Sequence, residues 1–463
     1  MPPRKKPFSG KAKKQQLRDA RSRKRDAVDS DDDEAVNAPD AAGPPQAVPG
    51  GRSNLRTIFQ KEPKSAVDAR KKDATRELVY AKDRGSSQTI YAYGIQDPAN
   101  QPRILTKPEW SRDMTPEELD DVDSRAFTEW VEYLEQETAR RSDGTQLNLY
   151  ERNLEVWRQL WRVVERSSVL VHLADARCPL LHISDQLMTH IRTKFPRKRV
   201  VLVLTKTDLV AAERVEKWSR YLQARYGQDL PVLAYCRDTM DESNAALMRA
   251  IGQVSAGIEQ QACTEDSTGE RDEHTTLTVG FIGEPNVGKS SLLNSLFERK
   301  LVSVSATPGH TKHLQTHYFD RVEMLGCSHS AFSRILMFDC PGVVFPRFNV
   351  PVLLQILFGS FPIAQTREPF SAVRFIAENC APHLHEVYKL KPVEKDDDNE
   401  QWSPYTLCAS YAQLRGFRMK GGKLDVHRAA NLLLRDTLNG KKVVLSFPPP
   451  ADATAATPVP DVS

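Results

Sequence analysis

Apolar residues recur along this chain in two rhythms. Runs at 168–176 (SVLVHLADA), 200–208 (VVLVLTKTD), 231–236 (PVLAYC), 277–285 (LTVGFIGEP) and 334–342 (RILMFDCPG) are almost continuously aliphatic or β-branched, and most end in Asp, Gly or Pro. Segments of helical length separate most of them. Near-continuous apolar strands alternating with helices predict buried parallel strands in an open α/β sheet.

The second rhythm is helical. In 146–166, Leu154, Trp157, Trp161 and Val164 share one stripe while Arg158, Arg162 and Glu165 lie off it, which predicts an amphipathic helix with both Trp in the core rather than stacked on RNA. Thr115-Pro116-Glu117-Glu118 reads as another helix start, with Thr115 as cap and Pro116 in the first position. Beyond about 350 strand signals become rare; 425–436 predicts a helix stopped by Asn439-Gly440 and followed by one strand, KKVVLSF at 441–447. The stretch 257–275 has no periodicity and reads as a linker inside the α/β unit.

Composition sharpens the boundaries. Residues 1–25 carry eleven Lys or Arg against one Asp, so within the total of +4 the remaining chain carries a net −6. A cationic arm on a mildly acidic body suits docking on nucleic acid or another polyanion, and also suits a nuclear-import signal. An acidic block (Asp26, Asp29, Asp31, Asp32, Asp33, Glu34) follows directly, where a signal peptide would need an apolar stretch. The apolar segment 350–364 is broken by Pro351, Gln355, Gly359 and Pro362 and is too short to span a bilayer, so no membrane partner is expected. Seven scattered Cys without a CxxC pair point to a reduced compartment and to no zinc module. The expected organisation is a disordered basic/acidic tail (1–53), a partly helical extension (54–145), an α/β domain (146–349) with its linker at 257–275, a mainly helical domain (350–446) and a disordered tail (447–463).

The strongest chemical signal is Gly283-Glu284-Pro285-Asn286-Val287-Gly288-Lys289-Ser290, a GxxxxGKS between the strand TVGFI and the helix SLLNSLFERK. Its glycines let backbone N–H groups approach phosphates, the helix N-terminus favours negative charge, Lys289 can reach the β- and γ-phosphates, and the Ser290 hydroxyl can ligate Mg²⁺. Val287 and Ser291 complete the candidate phosphate site. Asp339-Cys340-Pro341-Gly342 ends a later strand, where a carboxylate can hold the Mg²⁺ hydration shell and the Gly342 N–H can sense the γ-phosphate. Between them, Thr307-Pro308-Gly309-His310-Thr311 offers a hydroxyl for the metal.

The base is decided upstream. Thr205-Lys206-Thr207-Asp208 ends the strand VVLVL, and the Asp208 carboxylate can accept from the N1–H and exocyclic amine of guanine, which adenine does not offer in that geometry. Lys206 would lie along the ring plane. Asp208 thereby disfavours an ATPase or small-molecule kinase.

In order and context these elements resemble the circularly permuted GTPases of the YlqF/YawG type: the guanine motif at 205–208 precedes the phosphate loop at 283–290. The resemblance rests on NLEVWRQLWRVVERS (153–167), DARCP (175–179), TKTD, GEPNVGKSS, VSVSATPGHTKH, DCPG and PIAQTREPFSAV, and on the basic start. It implies an α/β P-loop GTPase sheet with circularly permuted motif order, a mainly helical C-terminal domain and disordered termini. It also implies GTP/GDP and Mg²⁺ as ligands, Thr311 rather than Thr307 as the metal-binding hydroxyl, and K⁺ at Asn286. Expected partners are rRNA or a pre-ribosomal particle and the nuclear import machinery, in a nuclear or nucleolar protein that can shuttle to the cytoplasm. Val343 and Val344 stand where many GTPases carry a water-orienting Gln, so slow hydrolysis is expected, around or below roughly 10⁻⁴ s⁻¹. A GTP-dependent interaction scaffold with negligible hydrolysis is the alternative. Two departures are Thr205 in place of Asn, and Ala234-Tyr235-Cys236 where a Ser-Ala loop usually covers the base. Since the γ-phosphate sensor runs into the C-terminal region, that region is the expected output of the switch.

Overall fold

The computed structural model describes residues 58–80, 90–141, 145–265, 275–301, 314–326, 332–392 and 402–450. The basic arm, Thr307, His310 and Thr311, and the residues after 450 lie outside these. Among the described residues no helix is long and apolar enough to cross a membrane, and the five described cysteines are free thiols.

Among the described residues six strands form one sheet: β1 (Val169–Asp175), β2 (Arg199–Thr205), β3 (Val232–Ala234), β4 (Thr275–Ile282), β5 (Gln315–Phe319) and β6 (Phe332–Asp339), in the order β3-β2-β1-β4-β6-β5. All neighbours are parallel except β5, which runs antiparallel to β6. Every β1 residue is buried, because helices cover both faces. The strands predicted from apolar runs are β1, β2, β3, β4 and β6. The sequence reading missed β5, a short polar edge strand (QTHYF) with only Phe319 buried.

On one face, Leu247, Met248 and Ile251 of α6 (Met240–Glu265) and Leu292, Leu293 and Leu296 of α7 (Lys289–Leu296) pack on alternate strand residues such as Val171, Val201, Val279 and Met337. Helix α6 continues to Glu265, so the first part of the stretch expected as a linker, 257–265, is helical backbone; apolar spacing there was too sparse to signal it.

Helices α1 (Lys64–Asp73), α2 (Pro116–Arg140), α3 (Leu154–Arg166), α4 (Asp185–Lys194) and α5 (Ala212–Tyr226) come from other parts of the first half. Helix α2 starts where Thr115 and Glu118 form a reciprocal capping box with Pro116 in the first turn, a device that contributes about 1 kcal/mol. Helix α3 buries Trp157 completely and Trp161 nearly so, with their indole N–H groups donating to the carbonyls of Glu151 (3.0 Å) and Leu105 (3.2 Å). Both rings are core groups, and neither is available for RNA. Arg158, off the stripe, bridges α3 to Asp120 and Asp123 of α2.

Helices α8 (Val352–Phe358), α9 (Phe370–Asn379), α10 (Leu384–Val387), α11 (Pro404–Arg415) and α12 (Val426–Leu438) share a core with α5 and with Leu202, Leu204 and Ala174 of the sheet. The segment KKVVLSF is not a strand. It is an extended strap whose Val443, Leu445 and Phe447 are buried, and its backbone is held by non-strand partners: Phe447 N–H donates to the Arg177 carbonyl and Trp218 Nε1–H to the Phe447 carbonyl, both at 2.9 Å. Tyr91 Oη also donates to the Pro448 carbonyl at 2.6 Å, so the packed body reaches past 447, where a disordered tail was expected to begin.

The segment following β6 is pinned as well. Glu151 N–H donates to the Val344 carbonyl (3.0 Å), Asn148 Nδ2 to the Phe345 carbonyl (2.9 Å), and Leu147 bridges Phe348. Val343 and Val344 are each only 1% exposed, and Val343 belongs to the core around Trp157 and Phe345.

Candidate nucleotide site

The loop between β4 and α7 carries the GxxxxGKS residues at the C-terminal edge of the central parallel strands, where α/β sheets bind ligands. Gly283 (φ 144°), Asn286 (φ 59°) and Gly288 (φ 105°) take left-handed backbone conformations that curl the loop, and Gly288 caps α7. The Lys289 side chain folds back into the curl, donating to the carbonyls of Gly283 (2.9 Å) and Glu284 (2.7 Å). Burial lowers the Lys289 pKa, with Asp339 acting in the opposite sense. Val287 is buried beneath the loop, and Ser291 is exposed one residue past Ser290.

Ser290 Oγ donates to Asp339 Oδ2 at 3.3 Å. Asp339 is fully buried, which pushes its carboxyl up to about 6 against the pull of Lys289 and Ser290, and its Oδ1 has no hydrogen-bond partner. A buried carboxylate oxygen without a donor, beside a serine hydroxyl at a helix N-terminus, fits a hydrated divalent cation. Gly342 lies against the loop: a Cβ there would sit 2.6 Å from Pro285 N and 2.8 Å from Pro285 Cα, so only glycine permits this approach.

The TKTD residues meet the loop from the neighbouring strand. Thr205 Oγ1 lies 2.6 Å from the Val287 carbonyl oxygen and 3.1 Å from that of Ala174. The Thr205 hydroxyl thus ties the end of β2 to the loop between β4 and α7. Lys206 stands at φ 57°, and Asp208 is exposed on the 3₁₀ turn Thr207–Leu209. The loop after β3 passes beside this turn, Thr207 N–H donating to the Tyr235 carbonyl at 3.5 Å, while the Tyr235 side chain is buried and bonds Asn244.

Three arrangements were missed from sequence. Lys206 Nζ donates to Asp175 Oδ2 at 2.8 Å, and Arg177 engages the same carboxylate. Ser360 Oγ donates to Glu284 Oε2, which also faces His182 Nδ1 at 3.3 Å. Asn286 Nδ2 donates to the Gly359 carbonyl at 2.8 Å. The last two bind the phosphate loop to the turn after α8, a contact between residues far apart in sequence that no local pattern announces.

The fold and motif order are those of a GTPase in which the TKTD residues precede the GxxxxGKS loop, and the proteins this chain is similar to agree with that class. A family model described as 50S ribosome-binding GTPase matches residues 278–374. Guanine nucleotide-binding protein-like 1 of Rattus norvegicus is 29% identical over 97% of this chain and 86% of its own length. Large subunit GTPase 1 homolog of Drosophila melanogaster is 31% identical over 77% of this chain and 66% of its own. The crystal structure of GNP-bound YlqF from T. maritima covers 64% of this chain and 99% of that chain at 18% identity, with a TM-score of 0.36.

Proposed function

We propose that the protein is a GTP-driven switch with slow intrinsic hydrolysis that acts in ribosome assembly. The observation that carries the GTP reading is the bond between Thr205 and the Val287 carbonyl, which sets the Asp208 turn and the phosphate loop on one rim. Asp208 would accept the two guanine N–H donors, and Lys289 would exchange its loop carbonyls for β- and γ-phosphate oxygens. The Gly342 N–H would donate to the γ-phosphate, close to Pro285. Ser290 and Asp339, with Thr311, would hold Mg²⁺, which when bound neutralises charge on the β- and γ-phosphates. Asn286 would ligate K⁺ through its amide oxygen, its Nδ2 being held by Gly359.

Slow turnover is supported by Val343 and Val344, both buried and neither able to orient a water. The ribosomal reading is supported by the names that its relatives carry and by cationic surface. The loop 415–423 (RGFRMKGGK) is braced by a bridge between Arg418 and Leu424 and leaves Met419 about half exposed. With the basic arm it would contact rRNA or a precursor particle, while the arm also serves as a nuclear or nucleolar address read by the import machinery. The test is sucrose-gradient sedimentation of the tagged protein, wild type beside Lys289→Ala. Nucleotide-dependent comigration with a ribosomal subunit or precursor is expected. A protein at the top of the gradient in both forms overturns the ribosomal role in favour of a scaffold for other proteins.

A further inference from the structure

At the end of β1, Asp175 is fully buried and receives two cations. Arg177 donates from Nε to Oδ1 (3.0 Å) and from Nη2 to Oδ2 (2.7 Å), while Lys206 Nζ donates to Oδ2 at 2.8 Å. Burial alone would raise the Asp175 pKa; Arg177 and Lys206 outweigh it and hold the carboxyl far below the usual range. The Arg177–Asp175 pair is already a bidentate, neutral unit, so Lys206 is a surplus charge there. Its side chain remains 23% exposed, at the head of the turn bearing Asp208.

Arg177 has a second anchor. Its Nη1 donates at 3.0 Å to the carbonyl of Thr437, in the last turn of α12, where helix carbonyls lack intrahelical partners. The end of α12 also touches the other side of the guanine turn: a Cβ built on Gly440 would lie 2.5 Å from Leu209 Cδ2. One helix terminus thus meets both Arg177 of DARCP and Leu209, the residue after TKTD, through contacts separated by more than two hundred residues of chain.

We propose that Asp175 and Arg177 are positioning residues for guanine recognition, fixing Lys206 along the base plane, and that the α12 terminus is the brace through which displacement of the C-terminal helices accelerates nucleotide release. A lysine stem free in solution must be ordered when the base binds; here the ordering precedes binding, which favours affinity. Movement of Thr437 and Gly440 loosens Arg177 and Leu209 together and returns Lys206 to that freedom. The inference rests on reading 205–208 as the guanine motif.

The test measures release of a fluorescent GDP from the full chain, together with KM and kcat for GTP. Arg177→Lys, which keeps charge but loses the fork, should raise the release rate and KM about tenfold, KM moving more than kcat, at some cost in melting temperature because the fork is buried. Lys206→Met should do the same, and the double variant should be no worse than Lys206→Met alone, because Arg177 acts through Lys206. Leu209→Ala, which removes the second α12 contact, should also accelerate release and serves if Arg177→Lys does not fold. Additive effects of Arg177→Lys and Lys206→Met, or release unchanged in either Lys206→Met or Leu209→Ala, overturn the proposal. A parallel Asp208→Asn arm separates the failures: if that variant keeps its preference for guanine, the guanine reading itself falls.

Discussion

The hydroxyl of Thr205 sits 2.6 Å from the carbonyl oxygen of Val287, joining the strand end that carries TKTD to the GxxxxGKS loop. Residues that stand in reverse order along the chain, relative to an unpermuted GTPase, are thereby one site. Thr205→Val keeps the shape and loses the bond, at a net cost of about 1 kcal/mol, so GTP and GDP affinity should each fall about fivefold. Thr205→Asn should retain most of the affinity; calorimetric titration of both variants checks this, and equal loss in the two would deny the tether.

Lys289 is a buried cation whose hydrogen-bond partners are loop carbonyls. Lys289→Ala removes the phosphate-directed charge, and nucleotide affinity should drop at least about 100-fold. The nucleotide-free fold should survive, because a desolvated ammonium contributes little net stability. A melting temperature that collapses along with binding would assign Lys289 to the fold instead.

Gly342 approaches Pro285 so closely that a methyl group must displace backbone. Gly342→Ala should push the 340–342 segment off the phosphate loop, weakening a non-hydrolysable GTP analogue by about tenfold or more while GDP affinity changes little. Equal weakening of both ligands would show that Gly342 does not sense the γ-phosphate.

His172 on β1 is fully buried, and burial lowers its pKa from 6.5 to about 4, opposed by the His182 backbone and by Glu284 and reinforced by the charges of Lys289 and the His182 ring. The native state keeps this imidazole neutral while the unfolded chain protonates, so the unfolded state binds more protons between pH 6.5 and about 4. His172 therefore contributes stability in full above pH 6.5 and loses it as pH falls through that window, a change on the order of 3 kcal/mol. Denaturant midpoints of both proteins across that range should show wild type losing stability relative to His172→Val by that amount as pH falls from 6.5 to about 4. Parallel curves would place the acid sensitivity elsewhere.

The parts of the fold and site visible in sequence were those with local causes. Val169, Leu170 and Val171 announce a buried strand because both faces of β1 are covered, and the glycines at 283 and 288 mark backbone that only they adopt readily. Strand β5 was hidden because an edge strand needs no apolar run, and KKVVLSF alternates like a strand yet is held by Trp218 and Arg177. The Asp175–Arg177–Lys206 cluster and the bond from Asn286 to Gly359 join residues that only the sheet and the C-terminal helices bring together.

Asp208 is proposed to select guanine beside the loop of residues 283–290. The most direct measurement is competition of GTP and xanthosine triphosphate for the full chain, wild type beside Asp208→Asn. Wild type should prefer GTP, and Asp208→Asn should reverse the order, because the amide offers an N–H to the xanthine 2-oxo group where the carboxylate accepted from guanine. An Asp208→Asn variant that still prefers GTP as wild type does would contradict the account.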